Sequence, residues 1–193
     1  NTEMPLKETA PTEHPMALYA ATKKATENMA HSYSHLFELP ITMFRFFTVY
    51  GEWGRPDMAL FKFTKAILEG TPIDVYNQGN MSRDFTYIDD LVQAVTLLIN
   101  TVPNICNVTN IVDDSLSPVA NFRVVNIGNS QPTRLMEFIS AIEKALSKKA
   151  KINYMKMQVG DVKATWADSS LLQNLTGYKP NTNVEIGVAK FIE

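Results

Sequence analysis

Residues 18–24 read LYAATKK, with Tyr19 four positions before Lys23. Four residues is about one helical turn, so on a helix the two side chains share a face. The surroundings supply that helix. Leu18, Ala21, Ala25, Met29, Tyr33 and Leu36 recur at spacings of three and four, the stripe of a helix from Pro15 to about Glu38. Pro15 suits its first turn, and Pro40 closes it. ITMFRFFTV (41–49) follows as a strand rich in β-branched and aromatic residues.

The helix–strand alternation begun there continues outward. YGEWGRPD (50–57) is a turn-rich connection, and Asp57 is placed to cap the helix of MALFKFTKAILEG, which Gly70 ends. PIDVY reads as a short strand and NQGN as its turn. RDFTYI leads into Asp89-Asp90, which we assign to capping the helix of LVQAVTLLIN. Residues 103–122, rich in Pro, Asn, Asp and Ser, read as a loop. RVVNIG (123–128) reads as a buried strand, TRLMEFISAIEKALSKK as an amphipathic helix, KINYMKM as a strand, and two weaker helices finish the chain. Such alternation is the signature of the α/β class.

Composition narrows the function. The chain has 193 residues, 45% hydrophobic and 20% charged, as in ordinary globular domains. A net charge of −2 leaves no basic excess for nucleic acid. No apolar run is long enough to span a bilayer. The lone Cys106 forms no internal disulfide and fits a reducing compartment, so a cytoplasmic location is expected. Sequons stand at Asn80-Met-Ser, Asn107-Val-Thr and Asn174-Leu-Thr, with no signal peptide ahead of them, so modification is not expected. The opening stretch NTEMPLKETAPTEHP reads as a loop taken from a longer chain.

Chemistry concentrates on Tyr19 and Lys23. An unperturbed tyrosine, with a pKa near 10, is a poor base, and use near pH 7 needs about 4 kcal/mol of stabilisation of its anion. A cation at about 4 Å, at an effective dielectric near 20, supplies about that much. By spacing alone the pair has two readings: a proton-transfer device, or two polar side chains on a helix flank. Phe46 and Phe47 read as core, Arg55 as a solvated arginine in a Gly/Pro turn, and Arg83-Asp84 as a surface ion pair. His31 and His35 have metal-ligand spacing on a helix, but no third ligand stands in register, so no metal is expected.

The order of longer motifs separates these readings. LYAATKKATE, RFFTVYGEWGRPDMALFKFTKAILEG, IDVYNQGNMSRDFTYIDDLVQAV, NIGNSQPTRLMEFISAIEKAL and GDVKATWAD follow one another along the chain. Together they resemble the extended short-chain dehydrogenase/reductase family, and within it the nucleotide-sugar epimerases of the UDP-glucuronate 4-epimerase type. The likeness covers nearly the whole chain and is weakest at 103–122.

The resemblance implies the C-terminal part of a Rossmann-type doubly wound sheet interleaved with a small α/β substrate-binding domain. Residues 1–54 would be a remnant of the dinucleotide-binding domain. Residues 55–193 would be mainly the nucleotide-sugar domain, with 84–101 and 123–128 returning to the Rossmann part. It implies that Tyr19 takes the proton from the sugar 4-hydroxyl while a nicotinamide takes the hydride. Lys23 would hold the cofactor ribose and favour the tyrosine anion. Phe46 to Thr48 would lie against the nicotinamide of NAD. Thr48 and Arg55 would recognise the hexuronic acid, an arginine being the natural fork for a carboxylate. Arg83 would contact the nucleotide diphosphate and Asp161 would lie near the uridine ribose. A homodimer is implied, with the first helix in the bundle between subunits.

Two departures bear on this. Gln158 stands where the wider family often has arginine, as is common in the glucuronate-epimerase branch. No Gly-x-x-Gly-x-x-Gly turn, the family's cradle for the NAD pyrophosphate, occurs in the 193 residues. The Ser/Thr completing the family's triad would lie just upstream of Asn1. The expectation is therefore an NAD-dependent 4-epimerase of a UDP-hexuronic acid, with these residues alone inactive and binding NAD weakly or not at all. A related UDP-sugar decarboxylase or dehydratase, or a non-catalytic UDP-sugar-binding piece, remain as alternatives.

Overall fold

A strand flanked by helices on both faces is buried along its whole length, and Phe122–Ile127 (β5) is such a strand, every residue of it buried. In the computed structural model, which describes residues 3–107, 111–158 and 160–193, β5 organises one half of the fold. Residues 1–2 of the opening stretch, the Val108 and Thr109 positions of the Asn107 sequon, and Val159 beside Asp161 lie outside the described residues.

Leu18–Phe37 (α1) is the expected first helix. Ile41–Phe46 (β1) runs parallel to β5, with Ile41 opposite Phe122 and Phe46 opposite Ile127. Ala30 of α1 packs with Ile41 and Met43 onto Ala120, Phe122 and Val124. The opposite layer comes from Ile88–Leu98 (α3) and Ser170–Thr176 (α5), whose Ala94, Leu98, Leu171 and Leu172 close on Val125 and Ile127.

The single strand expected over 41–49 is in fact two. A backbone bond from Val49 N–H to the Phe47 carbonyl (3.1 Å) marks a tight bend, after which Thr48–Tyr50 (β2) joins a different sheet. There β2 runs parallel to Ser82–Tyr87 (β4), with Thr48 opposite Phe85. Pro132–Arg134 (β6) pairs antiparallel with β4, and the short Ala164–Thr165 (β8) pairs parallel with it. Uniform local patterning hides the bend, because both halves are β-branched and aromatic.

A second core fills the space between this sheet and Ala59–Glu69 (α2), Leu135–Leu146 (α4) and Val184–Ile192 (α6). Tyr50, Leu60, Phe85, Phe138 and Val188 are among its buried members, with Phe85 and Phe138 stacked at 4.0 Å. Pro72–Tyr76 (β3) and Lys151–Met155 (β7) form a separate parallel pair over Ile139.

Helix starts differ from the sequence reading. Met58, not Asp57, is the N-cap position of α2, and Tyr87, not Asp89 or Asp90, is that of α3. Asp57 is drawn off by Arg55. Asp90 is buried and accepts from the Tyr178 hydroxyl (2.8 Å) and the Thr182 N–H (2.8 Å), tying α3 to the segment before α6. Gly70 ends α2 as expected, in the left-handed conformation that glycine adopts without strain. The stripe on α1 faces outward: Leu18, Met29, Tyr33, Leu36 and Phe37 are exposed, and Ser34 is the buried residue of that helix.

Candidate active site

Helix α1 delivers the pair expected of it. The Lys23 ammonium lies over the Tyr19 ring, 5.3 Å from its centroid. Tyr19 is 73% exposed, so its phenol is open to a ligand rather than engaged in the core. The helix is held in place from behind by Arg45 of β1, which grips Glu27 with two bonds of 2.7 and 2.8 Å. Burial raises the Glu27 carboxyl, but the Arg45 fork and Lys24 outweigh it and hold Glu27 below its ordinary pKa. Arg45 also donates to the Glu8 carbonyl (3.0 Å), fastening the segment that precedes the helix.

Arg55 comes from the turn after β2. It makes a bidentate pair with Asp57 at 3.0 and 2.5 Å. That bonded partner is the main reason the Arg55 pKa is raised, and the Tyr19 phenol adds a smaller contribution. Thr48 and Arg55 line one cavity, with Tyr50, Gly51, Met58 and Phe85 as neighbours. Gly51 has φ +141°, and a Cβ there would meet Ile88 at 2.4 Å, so the turn that presents Arg55 requires glycine. Phe46 ends β1 half-exposed, stacked on Phe44 at 5.9 Å, and is not the core residue that its composition suggests.

Arg83 and Asp161 are far apart in sequence and bonded in space: Arg83 Nη2 donates to Asp161 Oδ1 at 2.7 Å, both side chains part-buried. Arg83 therefore pairs with Asp161, not Asp84. The register that sets Thr48 opposite Phe85 places the Thr48–Arg55 cavity beside the strand that carries Arg83.

Several polar residues were missed by the sequence reading. Asp84 is fully buried and accepts four hydrogen bonds. Glu8 is buried, and burial, helped by Asp168, pushes its carboxyl up to about 7 against the opposing pull of the Asn126 N–H and Arg45. The signal for Asp84 was present, since strand alternation puts it on one face with Thr86 and opposite Phe85. For Glu8 no local signal exists. His31 and His35 hold a loop: His31 Nε2 meets Ser117 Oγ at 2.9 Å and His35 Nδ1 meets the Val119 carbonyl at 2.8 Å.

Residues 1–111 match the model of the NAD dependent epimerase/dehydratase family. The chain belongs to that family. Within it, the chain is 54% identical over its whole length to a probable UDP-glucuronate 4-epimerase of Rhizobium meliloti, of which it covers 57%. It is 45% identical over its whole length to UDP-glucuronate 4-epimerase 4 of Arabidopsis thaliana, covering 44% of that protein. Among solved structures it is similar to UDP-glucuronic acid 4-epimerase from Bacillus cereus in complex with UDP-glucuronic acid and NAD. There the TM-score is 0.82 and the identity 31%, over 98% of this chain and 55% of the other. The chain thus spans about half the length of the relatives it matches. The mixed α/β architecture with parallel strands agrees with theirs.

The residues present fit one end of a dinucleotide. Tyr19 and Lys23 are accessible on α1, and Phe46 is half-exposed at the end of β1, the strand that follows that helix. That is a set suited to a nicotinamide and its ribose. A glycine-rich turn for the pyrophosphate is not among the 193 residues.

Proposed function

We propose that this protein is an NAD-dependent 4-epimerase of a UDP-hexuronic acid, converting UDP-glucuronate and UDP-galacturonate into one another. The observation that carries this reading is the accessible Tyr19 with the Lys23 ammonium over its ring at 5.3 Å, a proton-transfer group and the cation that serves it on one face of α1. The relatives named for this reaction support it.

Bound NAD supplies the hydride acceptor and donor at C4. Tyr19 takes the proton from the 4-hydroxyl as C4 is oxidised and returns it as C4 is reduced. Lys23, one turn on with its ammonium over the Tyr19 ring, would hold the cofactor ribose. Phe46 and Thr48 form the wall for the nicotinamide. Thr48 and Arg55 hold the uronate, which takes the place of the Asp57 carboxylate on the planar guanidinium fork. Arg83 binds the diphosphate and Asp161 lies by the ribose. Residues 1–54 serve the cofactor and 55–193 mainly the nucleotide sugar, with 84–101 and 123–128 belonging to the first part. The exposed apolar face of α1 supports a homodimer built on that helix.

The test is turnover of UDP-glucuronate by the NAD-loaded whole protein that carries these residues, with products separated chromatographically. Tyr19→Phe should lower kcat by about 100-fold or more while UDP binding is kept. Near wild-type kcat in that variant would overturn the assignment.

A further inference from the structure

Arg83 and Asp84 are neighbours on β4 and point to opposite sides of it. Arg83 turns to the part-buried edge, bonded to Asp161 (2.7 Å) and to the carbonyls of Ser82 (2.9 Å) and Lys163 (3.4 Å). Asp84 turns inward and is wholly buried. Its Oδ1 accepts from the Asn129 N–H (2.7 Å) and the Thr86 hydroxyl (3.2 Å). Its Oδ2 accepts from the Ser130 N–H (2.9 Å) and the Ala167 N–H (3.0 Å).

The three N–H donors sit on two separate segments. Asn129 and Ser130 follow the end of β5, in the half of the fold that holds α1. Ala167 ends the stretch 161–167 that begins with Asp161. This stretch is strapped along β4: the Ser82 N–H reaches the Lys163 carbonyl at 2.9 Å, β8 pairs with Ser82 and Arg83, and Ala167 is fixed by Asp84. The packing tolerates little movement. A Cβ on Gly128 would lie 2.6 Å from Ala167 Cβ and 2.7 Å from Asp84 Oδ2.

We propose that Asp84 is the positioning residue of the diphosphate site, fixing where the 161–167 stretch lies against β4 and hence where Asp161 holds the Arg83 guanidinium. It touches neither nucleotide nor sugar. A carboxylate is needed because both of its oxygens accept; an amide has one carbonyl oxygen and would aim N–H at N–H on its other side. The proposal rests on Arg83 as the diphosphate contact.

The test is calorimetric titration of UDP into the protein and into Asp84→Asn, Arg83→Ala and the double variant. Asp84→Asn should weaken UDP binding about tenfold, the cost typical of one lost charge-assisted contact. The double variant should bind no more weakly than Arg83→Ala, because the two changes disable one device. A residue that only holds the fold together would lower the unfolding midpoint and leave the UDP Kd of the folded variant unchanged, or add independently to Arg83→Ala. Either result overturns the proposal. Should Asp84→Asn not fold, Gly128→Ala wedges the same contact apart. It should reproduce the affinity loss and its non-additivity with Arg83→Ala, and an unchanged Kd would overturn the proposal equally. UDP binding that is unaffected by Arg83→Ala, or absent from the wild type, would mark failure of the diphosphate reading itself, and the proposal falls with it.

Discussion

Replacing Glu8 by Gln should remove a pH dependence that the fold imposes on itself. Glu8 is buried, its Oε1 accepts the Asn126 N–H at 2.8 Å, and its carboxyl is pushed from an ordinary 4.5 to about 7, burial being the largest cause. A carboxyl with a folded pKa above its unfolded one binds more protons in the native state between those values. Its contribution is therefore most favourable below 4.5, declines as pH rises through the window from 4.5 to 7, and is flat beyond. Carried through the linkage relation, that difference amounts to about 3 kcal/mol. Glutamine keeps the acceptor for Asn126 and has no charge to bury. Urea denaturation followed by circular dichroism at pH 4.5, 6 and 8 would give both stability profiles. Subtracting them cancels the carboxylates common to both proteins, including Glu27, Glu52 and Glu143, whose lowered pKa values act in the opposite sense. The two proteins should match near pH 4.5, and Glu8→Gln should be more stable by about 3 kcal/mol at pH 8, or about 6–12 °C in Tm for a domain of this size. Parallel profiles from pH 4.5 to 8 would refute the reasoning, since they would mean that Glu8 ionises as freely folded as unfolded.

Three further outcomes are expected. Tyr50→Phe should stabilise the fold by about 1 kcal/mol in urea, because the Tyr50 hydroxyl is buried with no hydrogen-bond partner among the described residues; a loss of stability would mean that the hydroxyl is satisfied. Arg55→Ala should reduce kcat/KM for UDP-glucuronate more than for UDP-glucose, and equal losses would remove Arg55 from carboxylate recognition. The 193-residue chain alone should give no micromolar NAD+ binding by calorimetry and should scatter light as more than a monomer, given the exposed Leu18, Met29, Tyr33, Leu36 and Phe37; a clean monomer with micromolar affinity would contradict both expectations.

Much was legible along the chain. The three-and-four spacing marks α1, Gly70 ends α2, and RVVNIG reads as a buried strand, as it is. The spacing of Tyr19 and Lys23 puts both on one face, and the folded helix stacks the ammonium over the ring. Three local readings were displaced by tertiary competition. Asp57 and Asp90 are good helix caps in isolation, yet a neighbouring guanidinium takes one, and the Tyr178 hydroxyl and Thr182 N–H take the other. The continuous strand over 41–49 is divided because its two halves find partners in different sheets, β5 for one and β4 for the other.

The sequence by itself determined the α/β alternation, the limits of most elements and the shared face of Tyr19 and Lys23, because periodicity and turn chemistry act over a few residues. Only the tertiary structure decided that Arg83 meets Asp161, that Asp84 gathers the N–H groups of Asn129, Ser130 and Ala167, and that Glu8 is buried against Asn126. A buried polar group must be satisfied by whatever the topology brings beside it, and those partners lie dozens of residues away, beyond the reach of any local pattern.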